Sequence, residues 1–472
     1  MKTPSNHLSH RNFILKLEPA PVWISLLVFV FFSTILIVVG GGKVLNLTFP
    51  VISFFIGIFF YFRYPIAYVS FVWWMWFLTP LVRRLADWTS GFTEPSPILL
   101  APLLVTLISS ITLILRLPKS YKYNGLPFLC CLASVFYGFL IGLIQNSTVT
   151  TITDFLGWVS PIFLGFHLFA SWQDYPQYCQ SIKKIFFWGV LVMGVYGIYQ
   201  YLVAPDWDRL WLNSIDVVTF GNPEPLGIRV WSTMHSPQPF AAAMMAGLIL
   251  LFTGRGNLRY VAAGVGYLSF LLSLARSGWL SWLVGMLIFF SSLKASLQMR
   301  LIISIVIASL FVIPLITIEP FSSVISSRLE SVSDFGDGSL QGRLTGYENF
   351  VGLVLTQFLG KGLGSEMAFG MGSRDSGILT MLYSLGWVGT IPYLAGIVLL
   401  LLKIFQASQR HFDPFATACL AISLGSFAQI GFNVATSGII GTVLWGFLGM
   451  AMAANKYYLN ERIEKKNLLY LT

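Results

Sequence analysis

The chain has 472 residues, of which 56% are hydrophobic and only 10% are charged. Soluble domains carry about 25% charged residues because their surface must be hydrated, so this composition excludes a soluble enzyme. An aromatic content of 16% excludes a disordered chain, which is poor in such residues. The composition therefore predicts an all-α, polytopic integral membrane protein.

The formal net charge of +10 raises the question of a nucleic-acid partner. No basic run is interleaved with aromatic residues in the way that a nucleic-acid groove requires. Membrane proteins collect Lys and Arg in their cytoplasmic loops, so we expect no nucleic acid to bind. The cysteines lack metal-ligand spacing, and we expect neither a bound metal nor a disulfide framework.

The segment 1–16 is polar and basic, and the apolar run after it has no small-residue cleavage site. We therefore interpret that run as a first membrane helix and not as a signal peptide. About 14 apolar runs are long enough to cross a bilayer, which takes roughly 17 residues or more. This predicts one transmembrane domain over residues 1–472, with about 12–14 helices. In chain order the runs are 22–39, 45–62, 65–82, 97–115, 126–145, 152–170, 185–203, 237–253, 260–275, 277–293, 301–318, 376–402, 414–434 and 437–454.

The basic residues indicate the orientation. With a cytoplasmic N-terminus, about 19 of the Lys and Arg residues fall on the inside, in the alternation that the positive-inside rule requires. Both termini are then cytoplasmic. Two polar segments, 204–236 and 319–375, fall on the outside as extracytoplasmic loops. Loops of this length are usually functional or disordered, and we expect 319–375 to carry catalytic residues.

Several arginines lie on the predicted outside, where the positive-inside rule disfavours them. A guanidinium binds phosphate groups bidentately, which favours a phosphorylated or pyrophosphorylated lipid headgroup as ligand. Each of these arginines also has an interpretation without a ligand. Arg276 could be an interfacial anchor, and Arg229 and Arg343 could be solvated loop residues. Within the predicted helices only Asp154 and His167 are ionisable, both near the ends of one run. This scarcity of charge in the membrane argues against an ion-coupled transporter.

Two short patterns have alternative interpretations. Asp206 and Asp208 flank Trp207 in a triplet that resembles a metal-binding acidic pair, although such triplets also arise by chance. The glycine-rich run 360–364 resembles a phosphate-binding nest, but it lacks the P-loop spacing. Flexible re-entry into the membrane is the favoured interpretation of that run.

Three stretches together resemble the superfamily of O-antigen ligases and O-antigen (Wzy) polymerases. The first is 229–237, an arginine followed by small residues and a proline that opens a helix. The second is 272–279, a helix junction around Arg276. The third runs from Gly342-Arg343 through 360–364 and Asp375 to the 385–389 helix segment. The resemblance covers about residues 220–450 and depends on the order of these stretches, because no one of them is specific.

The resemblance implies a membrane glycosyltransferase of the GT-C type that needs no metal or other cofactor. Its donor is expected to be an oligosaccharide on undecaprenyl pyrophosphate. Arg276 and Arg343 would be catalytic, binding the pyrophosphate as charge develops on it. Asp375, where the family has a histidine, would accept the proton of the attacking hydroxyl. The expected substrate-binding residues are Arg229, Arg276, Arg343, Arg374, Arg328 and, by stacking on a sugar, Trp231.

The resemblance implies a location in the cytoplasmic (inner) membrane of a bacterium. We expect a polymerase that joins repeat units into a surface polysaccharide on the outer face of that membrane, since the ligase histidine is absent. A polysaccharide chain-length regulator and membrane lipid are then the expected partners. An O-antigen ligase with a lipid or protein acceptor is an alternative. A lipid-linked oligosaccharide flippase and a non-catalytic scaffold are alternatives from other classes.

Overall fold

A computed structural model describes residues 19–120, 125–215, 218–254, 256–293, 351–365 without 353, 376–408, 413–434 and 436–469, with a few isolated positions between 298 and 322. In these ranges the regular structure is helical, apart from one isolated antiparallel bridge between Gly221 and Ile228. The predicted segment 301–318 and nearly all of the loop 319–350 lie outside the described residues.

Fifteen α-helices occur in the described ranges. They are α1 (Ala20–Val38), α2 (Gly42–Arg63), α3 (Pro65–Ser90), α4 (Ala101–Leu107), α5 (Ser110–Ser120), α6 (Leu126–Gln145), α7 (Thr148–Ala170), α8 (Tyr175–Val203), α9 (Asp206–Ser214), α10 (Pro237–Leu251), α11 (Leu258–Leu272), α12 (Arg276–Ser291), α13 (Gly377–Ser408), α14 (Pro414–Ala428) and α15 (Gly438–Leu469).

Ten helical segments of the described chain are long and apolar enough to cross a membrane, and α10 and α11 are shorter apolar helices. The chain is therefore an all-α, multi-pass membrane protein, as its composition predicts. Every predicted run except 301–318 coincides with a described helix. Several helices are longer than the predicted runs: α8 begins at Tyr175 and not at 185, and α15 continues past 454 to Leu469. Helix α3 continues past 82 to Ser90, and this extension carries two arginines and an aspartate.

Helix α15 lies at the centre of the bundle, because 89% of its apolar 18-residue stretch is buried inside the protein. It packs against α7 through glycines: a Cβ atom added to Gly165 would lie 2.5 Å from the Trp445 carbonyl oxygen. Because lipid is as apolar as the helix surfaces, packing of this kind replaces the hydrophobic effect as the force between membrane helices. The close backbone contact of α7 and α15 therefore fixes the middle of the bundle.

The bundle has two distinct ends. The end that carries residues 204–236 and the turn between α11 and α12 is referred to below as the loop end. At the opposite, tail end, Asp413 accepts hydrogen bonds from the hydroxyls of Tyr175 at 2.6 Å and Tyr458 at 2.9 Å. The two ionisable residues of α7 are divided between these ends, with Asp154 at the loop end and His167 buried near the tail end, where it hydrogen-bonds Thr112 at 2.6 Å.

The glycine contact of α7 predicts a position-specific effect. Gly165→Ala should lower the free energy of unfolding by about 1–3 kcal/mol, the usual cost of overpacking. Gly157→Ala on the same helix is the matched control, because the nearest atom to its added Cβ lies 3.9 Å away. Unfolding by SDS titration in mixed micelles measures both variants. Equal stabilities would contradict the close packing of α7 on α15.

Candidate functional site

Residues 204–236 form a folded cap over the loop end and not an open loop. Helix α9 packs its Trp211 ring against Trp231, with ring centroids 5.3 Å apart, and Phe220 lies 5.8 Å from the same indole. The amide of Leu226 donates to the Tyr201 carbonyl oxygen at 2.7 Å and so ties the cap to the end of α8. The cap therefore has a small apolar core of its own.

A buried ion pair holds the cap on the helices. Arg84 of α3 lies 2.7 Å from Asp208 of α9, and their side chains are 1% and 0% exposed. Asp208 also accepts hydrogen bonds from Gln200 at 2.8 Å and Tyr196 at 3.0 Å, while Arg84 donates to the Ser232 carbonyl oxygen. Burial raises the pKa of the Asp208 carboxyl, and the charge of Arg84 opposes that effect. The attraction between the two charges, together with these hydrogen bonds, offsets part of the cost of removing both groups from water.

The same network fixes the turn at residues 231–233. The Gln200 side-chain oxygen accepts from the backbone amides of Trp231 at 3.1 Å and Ser232 at 2.8 Å. Ser232 has φ of 55°, a left-handed conformation that costs a residue with a side chain about 1–2 kcal/mol. Its hydroxyl donates to the Met193 carbonyl oxygen at 2.6 Å. The surrounding contacts thus hold a strained turn next to the candidate site.

The first and second stretches, 229–237 and 272–279, meet at the loop end. The Arg229 guanidinium donates to the carbonyl oxygens of Ser273 at 3.2 Å, Leu274 at 3.1 Å and Thr219 at 2.8 Å. Leu274 is itself left-handed, with φ of 52°. Arg229 therefore organises the turn that leads into Arg276.

Arg276 is the first residue of α12, as the absence of a loop between the two apolar runs predicts. It is half-buried, and the next residue, Ser277, accepts a hydrogen bond from Asn433 at 3.0 Å. A helix N-terminus carries partial positive charge, so the guanidinium adds to a position that already favours an anion. This is the strongest anion-attracting feature among the described residues of the two stretches.

The glycine-rich segment 360–364 docks into the bundle, which argues against its alternative interpretation as a phosphate nest. Its backbone amides already donate to the protein. The bonds run from Lys361 to the Tyr383 carbonyl oxygen at 2.8 Å, from Gly362 to Ser384 at 2.9 Å, from Leu363 to Gly138 at 2.9 Å, and from Gly364 to the Asp154 carboxylate at 2.9 Å. With these amides occupied, no set of donors remains to cradle a phosphate.

The segment docks there because α13 is interrupted beside it. Gly386 has φ of 62° and ψ of −175°, which breaks the helix after its first turns. The interruption removes helical partners from the carbonyl groups of Tyr383 and Ser384, and the 360–364 segment supplies amides in their place. Irregular backbone at membrane depth requires such internal partners because lipid offers none.

A cleft of about 240 Å³ opens at the loop end. Its walls come from α3, α4 and α7, from the end of the cap and from the start of α15. Its aromatic walls are Trp76 and Trp158, and its polar lining includes Thr153, Asp154, His235 and Ser437. The His235 side chain is exposed and lines this cleft. Desolvation by the surrounding protein, and then the charges of Arg84 and Arg83, lower the pKa of its imidazole, which favours the neutral form at physiological pH.

A second, larger concavity of about 800 Å³ lies between α1, α3 and α8. Its lining is almost entirely apolar and runs along α1 from Val22 to Ile37. Lys184 of α8 lies toward its tail end and Leu85 of α3 toward its loop end. A groove with these dimensions and this chemistry suits a hydrocarbon chain.

The structure places the predicted residues unevenly. Arg276 and Arg229 come together at the loop end, but Trp231 is 0% exposed inside the cap and offers no face on which a sugar could stack. Its indole packs on Trp211 and Phe220 because the cap needs an apolar core. The predicted residues Arg328, Arg343, Arg374 and Asp375 lie outside the described residues.

Asp206 and Asp208 do not form a shared site. Asp208 forms the buried ion pair with Arg84, whereas Asp206 is 73% exposed and lies 3.9 Å from Arg209. Sequence reasoning missed Arg83 and Arg84, although an Arg-Arg pair at a predicted outer position was a signal that could have identified them. Their importance depends on the length of α3, which the apolar run underestimates.

No protein-family model matches the chain, and no curated protein is significantly similar to it. The arrangement of residues at the loop end is therefore the basis for assigning a function.

The buried ion pair predicts a large coupling energy. Arg84→Met and Asp208→Asn should each lower the free energy of unfolding by about 3–5 kcal/mol, because each leaves a buried partner without its counter-ion. The double variant should lose much less than the sum of the two. SDS titration of the four proteins measures the coupling.

The exposed pair Arg209 and Asp206 on the same helix is the matched control. Its coupling should be at most about 1 kcal/mol, as for other surface pairs. Equal coupling energies in the two cycles would contradict the anchoring of the cap by Arg84 and Asp208.

The docking of the 360–364 segment predicts that a side chain at Gly362 makes the segment more accessible to protease. Gly362 has φ of +80°, and a Cβ atom there would lie 2.2 Å from the Gly142 amide nitrogen. Gly362→Ala should therefore release the segment and speed proteolysis between residues 351 and 365. Gly431→Ala is the control, since nothing lies within 4 Å of its added Cβ. Cleavage at the wild-type rate in Gly362→Ala would contradict the docking.

Proposed function

We propose that this chain is a membrane glycosyltransferase that polymerises undecaprenyl-pyrophosphate-linked oligosaccharide repeat units into a surface polysaccharide. The observation that supports this most directly is the meeting of stretches that are distant in sequence. Arg229 of the first stretch bonds the turn of the second at 3.1–3.2 Å. The 360–364 part of the third docks at the same end through Asp154.

The loop end would face the outside of the bacterial cytoplasmic membrane. The tail end carries a concentration of basic residues, as the positive-inside rule expects of a cytoplasmic surface. These include Arg63, Arg116, Lys183, Lys184, Arg259, Lys403 and Lys456. In this orientation both termini are cytoplasmic, and the cap and the cleft face the compartment where lipid-linked repeats are joined.

Arg276 would bind the pyrophosphate of the donor. Its guanidinium and the N-terminal amides of α12 act on the same anion, and cations held in place before the reaction stabilise the charge that develops on the leaving group. Arg343, Arg374 and Arg328 are proposed to contribute from the neighbouring loop. Arg229 is a positioning residue, because its guanidinium donates to three backbone carbonyl groups.

In the proposed reaction, an acceptor hydroxyl oxygen attacks the anomeric carbon of the donor sugar. The bond from that carbon to the pyrophosphate oxygen breaks, and undecaprenyl pyrophosphate leaves with the electron pair. Asp375 accepts the hydroxyl proton. Ser376, which follows it, is buried at the start of α13, and Gly377 packs on the Asn433 carbonyl oxygen. This places the start of α13 near the turn that carries Arg276.

The apolar groove between α1, α3 and α8 could hold the lipid part of the donor. This groove reaches the loop end at Ile37 and Leu85. A prenyl chain in such a groove would keep its pyrophosphate at the membrane surface. The acceptor would be a second lipid-linked repeat, with a polysaccharide chain-length regulator as protein partner.

The proposal predicts that Arg276→Ala and Arg343→Ala abolish polymer while the protein still inserts. The loss should exceed about tenfold, since each removes a charge that acts on the leaving group. Gel analysis of surface polysaccharide, with immunoblotting of the membrane fraction, measures both. Arg209→Ala is the control, as its side chain is 40% exposed on the cap. Excess EDTA should leave the activity unchanged.

A deletion strain separates the alternative functions. Loss of a polymerase should leave single repeats on the lipid carrier facing outward, and loss of a ligase should leave full-length polymer on that carrier. Loss of a flippase should leave single repeats facing inward. Normal polymer in both arginine variants would refute the proposed mechanism.

A further inference from the structure

We propose that the loop-end cleft lined by Trp76, Trp158, Asp154 and His235 binds a neutral sugar ring of the glycan substrate. The inference rests on the proposed function and adds to it a binding subsite distinct from the pyrophosphate-binding arginines. Its members come from α3, α7 and the end of the cap, and the resemblance assigns no role to any of them.

The size of the cleft suits one ring. At about 240 Å³ it is somewhat smaller than the roughly 300–1,000 Å³ sites that hold drug-sized ligands. A single hexose has about a dozen heavy atoms and fills such a volume. A folded peptide segment or a whole repeat unit would not fit.

The walls have the mixed character that a sugar requires. Trp76 and Trp158 are otherwise buried, with 8% and 4% of their surface exposed, and both line the cleft. The Trp76 ring is fixed because its Nε1 donates to the Thr106 hydroxyl at 3.0 Å. The negative face of an aromatic ring attracts the positively polarised C–H groups on one face of a sugar. Thr153 and Ser437 add hydroxyl groups that can donate or accept toward the sugar's own hydroxyls.

The charges of the cleft disfavour a phosphate. Asp154 contributes a carboxylate, which repels anions and accepts hydrogen bonds from sugar hydroxyls. Desolvation and the charges of Arg84 and Arg83 lower the pKa of the His235 imidazole, so its neutral form is favoured near neutral pH. A neutral polyhydroxyl group therefore suits this lining, whereas the anion of the lipid carrier is better placed at Arg276.

The cleft lies close to that arginine. Ser277, next to Arg276, is bonded to Asn433 at 3.0 Å, and Ser437 four residues further along lines the cleft. Four residues span at most about 14 Å. The glycan of a substrate whose pyrophosphate lies at Arg276 can therefore reach the cleft with one of its first few rings.

The Asp154 carboxylate also links the cleft to the docked segment. It accepts the amide of Gly364 at 2.9 Å. Asp154→Asn keeps an oxygen acceptor for that amide but removes the charge. The hydrogen bond from Gly364 can therefore persist in this variant.

The experiment uses the full chain in nanodiscs, with lipid-linked repeats extracted from a deletion strain as donor. The oligosaccharide released from the same lipid by mild acid serves as soluble acceptor. Asp154→Asn and His235→Gln should each raise the KM for one of the two substrates by about 5–50-fold, the effect of losing a strong hydrogen bond to the ligand. The kcat should change less than about threefold. A higher KM for the soluble acceptor assigns the cleft to the acceptor sugar, and a higher KM for the lipid-linked repeat assigns it to the donor sugar. Asp206→Asn, an exposed carboxylate on the cap, is the matched control.

A turnover-independent measurement accompanies the kinetics. Saturation-transfer NMR should detect the released oligosaccharide on the wild-type protein and on Arg276→Ala, but not on Asp154→Asn. Binding without polymer formation in the wild type would refute the proposed function and leave the sugar site intact. Unchanged KM values and unchanged NMR signals in both cleft variants, with Arg276→Ala inactive, would overturn the sugar site alone. Displacement of the oligosaccharide from Arg276→Ala by inorganic pyrophosphate would also overturn it, because the cleft would then be an anion site.

Discussion

The arrangement of the loop end depends on one buried ion pair. Arg84 and Asp208 lie 2.7 Å apart with almost no exposure, and Gln200 extends their network to the turn at Ser232. A charge removed from water costs several kcal/mol unless it is paired and hydrogen-bonded. The ion pair therefore anchors the cap on the helices, and its hydrogen-bond network helps to position the turn at Ser232. Arg229, His235 and the entry to α10 all lie within or directly after this cap.

A second constraint is the supply of backbone hydrogen-bond partners at the broken helix α13. The break at Gly386 leaves carbonyl groups that neither lipid nor the helix can satisfy. The glycine-rich segment 360–364 supplies the missing amides and reaches Asp154 at the wall of the cleft. Its glycines are used for close approach to the Gly142 and Gly386 backbones. A pattern that resembles a phosphate site in the sequence thus serves to close the bundle.

These two constraints divide the polar residues of the loop end into those that hold its structure and those that are proposed to bind the substrate. Arg84, Arg229 and Gln200 are occupied by protein partners and shape the surface. Arg276 and the lining of the cleft are the groups to which we assign the proposed ligand-binding roles. The proposed pyrophosphate site and the proposed sugar site are therefore neighbours built on different helices, α12 on one side and α3 with α7 on the other.

The sequence by itself determined the membrane class, nearly all helix positions and the junction at Arg276, because runs of apolar residues and helix lengths follow directly from bilayer thickness. It also indicated unusual outer arginines, but not the partners that each of them would have. Only the tertiary structure decided that Arg229 is held by carbonyl groups, that Trp231 is core and that Asp208 pairs with Arg84. It alone brought Asp154 of α7 to the same cleft as His235 of the cap. Such pairings join residues far apart in the chain, and whether a polar side chain meets a partner or a ligand depends on packing that local sequence patterns do not encode.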